Sequence, residues 1–239
     1  MKLNSTQINL VDTSSLTLFK PNKKLAFALA KKDRIDFIYN TSALEGNAMT
    51  YPEVQTLLEG VTVGGHKLSD EQQILNQNRS VNLLFDLLKK ERFCVDKSTL
   101  LQLHKKVAFE EALSWGEFRV SGVNIGGTEY SPPKASELDI IFTQGIEEIE
   151  QIAHPIVRAI SYFLFGAKCQ FFYDGNKRTS RLIMNGILLG NGYPILNIKA
   201  KDKLAFNTQM IAFYDGEEIE KSIIYLMEYY IRENSSLVG

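Results

Sequence analysis

Cysteine is almost missing from this chain of 239 residues. There are two, Cys94 and Cys169, and neither lies in the paired spacing of a thiolate metal site. Two isolated thiols give no support to a disulfide scaffold and suit a reducing, intracellular setting. No sign of charge prevails either: 27 Lys and Arg face 28 Asp and Glu, for a net charge of −1. That balance gives no reason to expect nucleic acid or an anionic membrane as a partner. Long apolar runs are absent. The longest, near AISYFLFGA, is far short of the roughly 20 residues that span a bilayer. The first residues, MKLNSTQINLVDTSSLTLF, lack the apolar stretch and small-residue cleavage pattern of a signal peptide. A soluble, cytoplasmic protein is expected. Internal repeats and low-complexity tracts are lacking, and strand signals are scarce.

Helix signals are plentiful, and 44% hydrophobic residues suffice for a core without metal or disulfide. A first helix is expected over about 24–45, stopped by Gly46. A second runs from Thr50, with Pro52 in its first turn, to about Gly60. Ser69 opens a long helix with acids in its first turn and lysines in its last, and another runs from Asp96 to about Ala108. Further helices are expected near 135–152, 154–170, 176–190, 200–213 and 217–233. Between them, GEFRVSGVNIGGTEYSPP alternates apolar Phe118, Val120, Val123 and Ile125 with polar residues and glycines, the pattern of a β-hairpin. The expected fold class is all-α with one small β-hairpin.

Chemistry concentrates in FFYDGNKRTSRLIMNGILLGNGYP. Asp174-Gly175-Asn176 ends one helix and begins the next, and a glycine there lets backbone N–H groups approach a ligand closely. The new helix directs its positive end, with Lys177, Arg178 and Arg181, at the same place. Arg178 and Arg181 are three apart and share a face. A helix N-terminus with added guanidinium groups suits an anion. Asp174 is a hard oxygen ligand at its edge, as in sites that hold Mg²⁺ against phosphates. The residues thus suggest a nucleotide-phosphate and Mg²⁺ site, although a D-G-N turn also serves as a plain helix connector.

Read from Gln170, the segment QFFYDGNKRTSR resembles the H-P-F-x-(D/E)-G-N-(G/K)-R-x-x-R motif of the Fic family (Fic/Doc). Three further segments resemble the family in the same order. TSALEGN, with Thr41, Glu45 and Gly46, is similar to its (S/T)-x-x-x-E-(G/N) inhibitory motif. GEFRVSGVNIGG followed by SPP is similar to its target-clamping flap. His154-Pro155 with Arg158-Ala159 is similar to the start of the helix before the motif. The resemblance implies one Fic-type unit over 1–239, with an inhibitory region at about 24–60, a core at about 96–200 and C-terminal helices at 200–239. It implies transfer of AMP from ATP to a hydroxyl side chain of a target protein. Asp174 would hold Mg²⁺; Gly175, Asn176, Lys177, Arg178 and Arg181 would face the nucleotide; and Val123, Asn124, Ile125 and Gly126 would form the target flap. Glu45 would pair with Arg181 and occupy the space of the ATP γ-phosphate.

Two departures qualify the implied activity. Gln170 stands where the family carries its catalytic histidine, and an amide cannot take the proton of an attacking hydroxyl. Phe171 follows where proline is usual. Of the three histidines, His66, His104 and His154, the last two suit structural or helix-capping roles, and Cys169 suits packing. Lys177 replaces the frequent glycine, as in Doc proteins that transfer a terminal phosphate. The alternatives are therefore a nucleotide- or protein-binding pseudo-enzyme, phosphate transfer, or removal of AMP with Glu45 orienting water.

Overall fold

In the computed structural model, which describes residues 3–237, the α-helices are α1 (Ser5–Ile8), α2 (Lys23–Lys32), α3 (Arg34–Leu44), α4 (Tyr51–Leu58), α5 (Leu68–Lys89), α6 (Lys97–Val107), α7 (Leu138–Glu150), α8 (Pro155–Cys169), α9 (Asn176–Gly190), α10 (Lys203–Tyr214) and α11 (Ile219–Glu233). The all-α class expected from the sequence is observed. Helix α8 reads almost wholly apolar and is buried on nearly every face, including Ile160, Tyr162, Phe163, Leu164 and Phe165. A helix apolar all round belongs at the centre of a core. It forms a helical hairpin with α9, and the two approach closely at Gly166. A Cβ there would lie 2.2 Å from Ser180 Oγ.

The other helices surround this pair. α5, α6 and α2 pack on α9, while α7 and α11 pack on α8. Two helix starts follow the sequence cues: Asp96 accepts from Thr99 N at 2.7 Å, and His154 Nδ1 accepts from Ile156 N at 3.2 Å ahead of Pro155. Helix α5 instead opens at Leu68, after Lys67, and not on a Ser69 cap.

Two expectations need correction. The helix expected over 24–45 is broken at Asp33 (φ −91°, ψ 13°). The break lets α2 lie on α9 while α3 lies along α5. The expected β-hairpin is not seen, and no strand occurs among the described residues. Its backbone groups are engaged elsewhere: Arg119 N donates to Phe171 O at 2.9 Å, and Val120 N to the Tyr173 hydroxyl at 3.3 Å. The segment is therefore an irregular loop bonded to the α8–α9 connection, turning at Gly126-Gly127.

Helix α3 is docked by polar contacts as well as by Phe37, Ile38 and Leu44. Asp36 pairs with Lys199 at 2.6 Å, Asn40 accepts from Ala200 N at 2.9 Å, and Lys203 Nζ donates to Ala43 O at 2.8 Å. These bonds tie α3 to the segment 199–203 that follows α9.

Candidate functional site

The α8–α9 connection is held in an unusual backbone shape. Gln170 ends α8 in the left-handed region (φ 49°, ψ 62°), uncommon for a residue with a Cβ. Gly175 is also left-handed (φ 75°), and a Cβ there would meet Val107 Cγ1 at 3.1 Å. Asn176 staples the turn from within. Its Oδ1 accepts from Phe172 N at 2.9 Å, and its Nδ2 donates to Phe172 O at 2.8 Å and to Gln170 Oε1 at 3.0 Å. Gln170 Nε2 donates to Ala167 O at 2.6 Å. Both ends of the Gln170 amide are thus engaged, one by the last turn of α8 and one by Asn176, and both ends of the Asn176 amide are engaged as well. The Asn176 side chain shapes the turn in this structure, and the backbone amides at the start of α9 are groups suited to an anion.

The charged groups form two sets. Arg178, nearly fully buried, donates to Glu111 Oε2 at 2.6 Å and to Asp174 Oδ2 at 3.2 Å. Burial alone would lower its pKa, but Glu111, Asp174 and Glu45 hold it raised. Arg181 is 1% exposed; its Nη2 donates to Glu45 Oε1 at 2.6 Å and its Nη1 to Thr41 Oγ1 at 3.2 Å, while its Nε has no partner among the described residues. The other Glu45 oxygen meets Lys177 Nζ at 3.0 Å. Burial opposes ionisation of Glu45, yet Arg181, Lys177 and Arg178 together hold its pKa down at about 2. Gly46 follows with φ 98°.

Two groups that motif reading missed complete the frame. Glu111 sits just after α6, where no motif marks it. Arg119, 2% exposed, donates to Gln170 O at 2.6 Å, Ser121 O at 2.7 Å and Pro133 O at 2.5 Å. It binds the loop expected as the flap to the motif turn. The only sequence signal for it was the Arg within GEFR.

His104 is structural in its contacts. It stacks on Phe172 with ring centroids 3.5 Å apart. Its Nδ1 accepts from Gly116 N, so Nε2 carries the proton and donates to Asp174 O at 2.9 Å. Burial lowers its pKa to about 4 despite the carbonyl contact. Cys169 is buried, and burial pushes its thiol up to about 12, in keeping with packing. Of the residues expected in the flap, Val123 and Ile125 are half-buried, while Asn124 and Gly126 are exposed. Between the end of this loop and the end of α10 lies an open hollow of about 780 Å³, lined by residues including Tyr130, Lys168, Tyr214 and Asp215.

The Asp174 carboxylate is 59% exposed, with Oδ1 accepting from Gly175 N at 2.6 Å. Among the described residues no three His, Cys, Asp or Glu side chains cluster as a metal cage. One exposed carboxylate suits only an ion that takes most of its ligands from phosphates and water, as Mg²⁺ does.

Comparison with known proteins agrees with this geometry. Residues 94–188 match the Fic/DOC family. The protein adenylyltransferase Fic of Culex quinquefasciatus is 29% identical over 193 residues, covering 78% of this chain and 38% of that protein. The protein of the same name from Drosophila mojavensis is 31% identical over 177 residues, covering 71% and 34%. The chain therefore spans less than half the length of these relatives. Among solved structures, a Fic domain containing signaling protein from Bacteroides thetaiotaomicron aligns with a TM-score of 0.71 at 19% identity, covering 99% of this chain and 93% of that one. Fic-1 from C. elegans aligns at 0.72 and 18% identity, covering 98% and 68%. With the helical fold, the motif turn and the match over residues 94–188 in agreement, the chain carries a Fic/DOC family domain.

Proposed function

We propose that this protein binds ATP with Mg²⁺ at the start of α9 and is a self-inhibited AMP transferase acting on a hydroxyl side chain of a target protein, with turnover limited by Gln170. The observation that carries this reading is the Glu45 carboxylate, held 2.6 Å from Arg181 and 3.0 Å from Lys177 at a helix N-terminus. A carboxylate in that position is a self-supplied anion where a phosphate would otherwise bind. Relatives named protein adenylyltransferases support the reaction class. One structural relative was solved in complex with adenylylated Cdc42, which supports a protein as acceptor. Two free thiols suit a cytoplasmic setting.

In this mechanism the target hydroxyl oxygen attacks the α-phosphorus, the bond to the bridging oxygen breaks, and pyrophosphate leaves. The amides at the start of α9, with Lys177 and Arg181 once Glu45 withdraws, hold the phosphates. Asp174 would hold Mg²⁺, which offsets phosphate charge. The hydroxyl proton has no acceptor on Gln170, whose amide is bonded to Ala167 O and Asn176, and so passes to solvent water. Losing a positioned base costs on the order of 10²–10⁴ in rate. That engaged, untitratable amide also favours a second reading, a nucleotide-binding protein without turnover. Lys177 would suit phosphate transfer.

The test is incubation of wild type, Gln170→His, Glu45→Gly and the double variant with α- and γ-labelled ATP and candidate target proteins. Transfer of α-label by the double variant well above wild type supports the proposal. ATP binding without any transfer supports the binding protein, and γ-label alone supports phosphate transfer.

A further inference from the structure

Glu111 belongs to none of the motifs, yet it is fixed in place before it meets the motif turn. Its Oε1 accepts from Asn76 Nδ2 at 2.7 Å, and the same amide donates to Phe109 O at 2.7 Å. Asn76 is fully buried on α5, and its own oxygen accepts from Gln72 at 2.9 Å and Arg79 at 3.2 Å. The other Glu111 oxygen receives Arg178 Nη1 at 2.6 Å. The opposite end of the same guanidinium reaches Asp174 Oδ2 at 3.2 Å.

Asp174 has little else to orient it. Its carboxylate is largely exposed, and among the described residues its one contact apart from the adjacent Gly175 N–H is Arg178. An exposed carboxylate on a turn samples several rotamers unless a partner selects one. Arg178, with a planar fork of fixed geometry, passes the orientation of Glu111 to Asp174. We infer that Glu111 is a positioning residue which, through Arg178, aims the Asp174 carboxylate and so sets how strongly a divalent cation tightens nucleotide binding. The inference rests on the nucleotide reading above. Partners one step behind a metal ligand typically change metal affinity by about 10–100-fold.

The test measures ATP affinity in excess Mg²⁺ and in chelator, using Glu45→Gly as the background so that the internal carboxylate does not mask binding. Adding Glu111→Gln, which keeps an oxygen for Asn76, is expected to reduce the Mg²⁺-dependent gain about tenfold and leave the affinity in chelator within about twofold. Glu111→Asp keeps the charge and is expected to fall between the two, which also covers the case in which the Gln variant does not fold. In an Asp174→Asn background, Glu111→Gln should cause no further loss of the Mg²⁺ gain. An equal loss with and without Mg²⁺ would overturn the inference, because Arg178 or the local fold would then be the site of damage. Tighter binding under both conditions would overturn it too, because Glu111 would then be competing with phosphate for Arg178. No ATP binding to the Glu45→Gly protein under either condition would instead defeat the nucleotide reading itself.

Discussion

The carboxylate of Glu45, just past the end of α3, lies 2.6 Å from the guanidinium of Arg181 on α9, across 136 residues of sequence. Arg181 is almost wholly buried, so it needs an anion beside it in every state of the protein. Any ligand that displaces Glu45 must therefore supply negative charge of its own.

The same carboxylate reaches Lys177, but burial separates the two pairs. The Arg181 side chain is 1% exposed and that of Lys177 is 30% exposed. Removing a buried partner leaves an uncompensated charge and costs about 3–5 kcal/mol, whereas a more solvated pair is worth about 0–1 kcal/mol. Arg181→Ala is expected to lower unfolding free energy by about 3 kcal/mol or more, and Lys177→Ala by under about 1 kcal/mol. Urea unfolding of the two variants distinguishes them; equal losses would mean that the pairs share the load.

Acid should weaken this contact only at low pH. The pKa of Glu45 is depressed from its ordinary 4.5 to about 2, so below 4.5 the unfolded chain takes up a proton that the folded one refuses. The stability from Glu45 is thus complete above about pH 4.5 and is lost as pH falls toward 2, with a total on the order of 3 kcal/mol. The difference in unfolding free energy between wild type and Glu45→Gln should be constant from pH 7 to about 5 and shrink below that. A difference that stays flat down to pH 3 would show that charge contributes nothing there.

Arg119 joins the expected flap to the motif turn through three carbonyl groups. Each buried acceptor left without a partner costs about 1–3 kcal/mol. Arg119→Met is expected to cost about 3 kcal/mol or more and to speed amide hydrogen exchange at Val120 and Ser121. Arg119→Lys should not rescue it, because one ammonium cannot reproduce the fork. Unchanged exchange at those amides would place the anchorage of this loop elsewhere.

The helices were legible because their signals are local. Asp96 and His154-Pro155 mark starts, and Asp174-Gly175-Asn176 marks the turn whose left-handed glycine the structure contains. The alternation at 118–125 misled because long-range bonds to the motif turn, which a local pattern does not carry, decide both which backbone groups pair and which side chains turn inward. Phe118 packs on Phe171, Val120 is 86% exposed, and the amides of Arg119 and Val120 bond to the motif turn. The break at Asp33 also escaped, because it follows from the different packing partners of α2 and α3. Glu111 and Arg119 were illegible for the same reason: each acts through a residue more than fifty positions away. Glu45 was found through its resemblance to a known motif, since a glutamate at a helix end carries no signal of its own.

The central claim is that the phosphate-binding face of α9 is filled by the protein's own carboxylate. Calorimetric titration of ATP with Mg²⁺ into wild type and Glu45→Gly tests it most directly. The account predicts at least about tenfold tighter binding by Glu45→Gly, equivalent to about 1.4 kcal/mol. Equal affinities for the two proteins, or no binding by either, would contradict it.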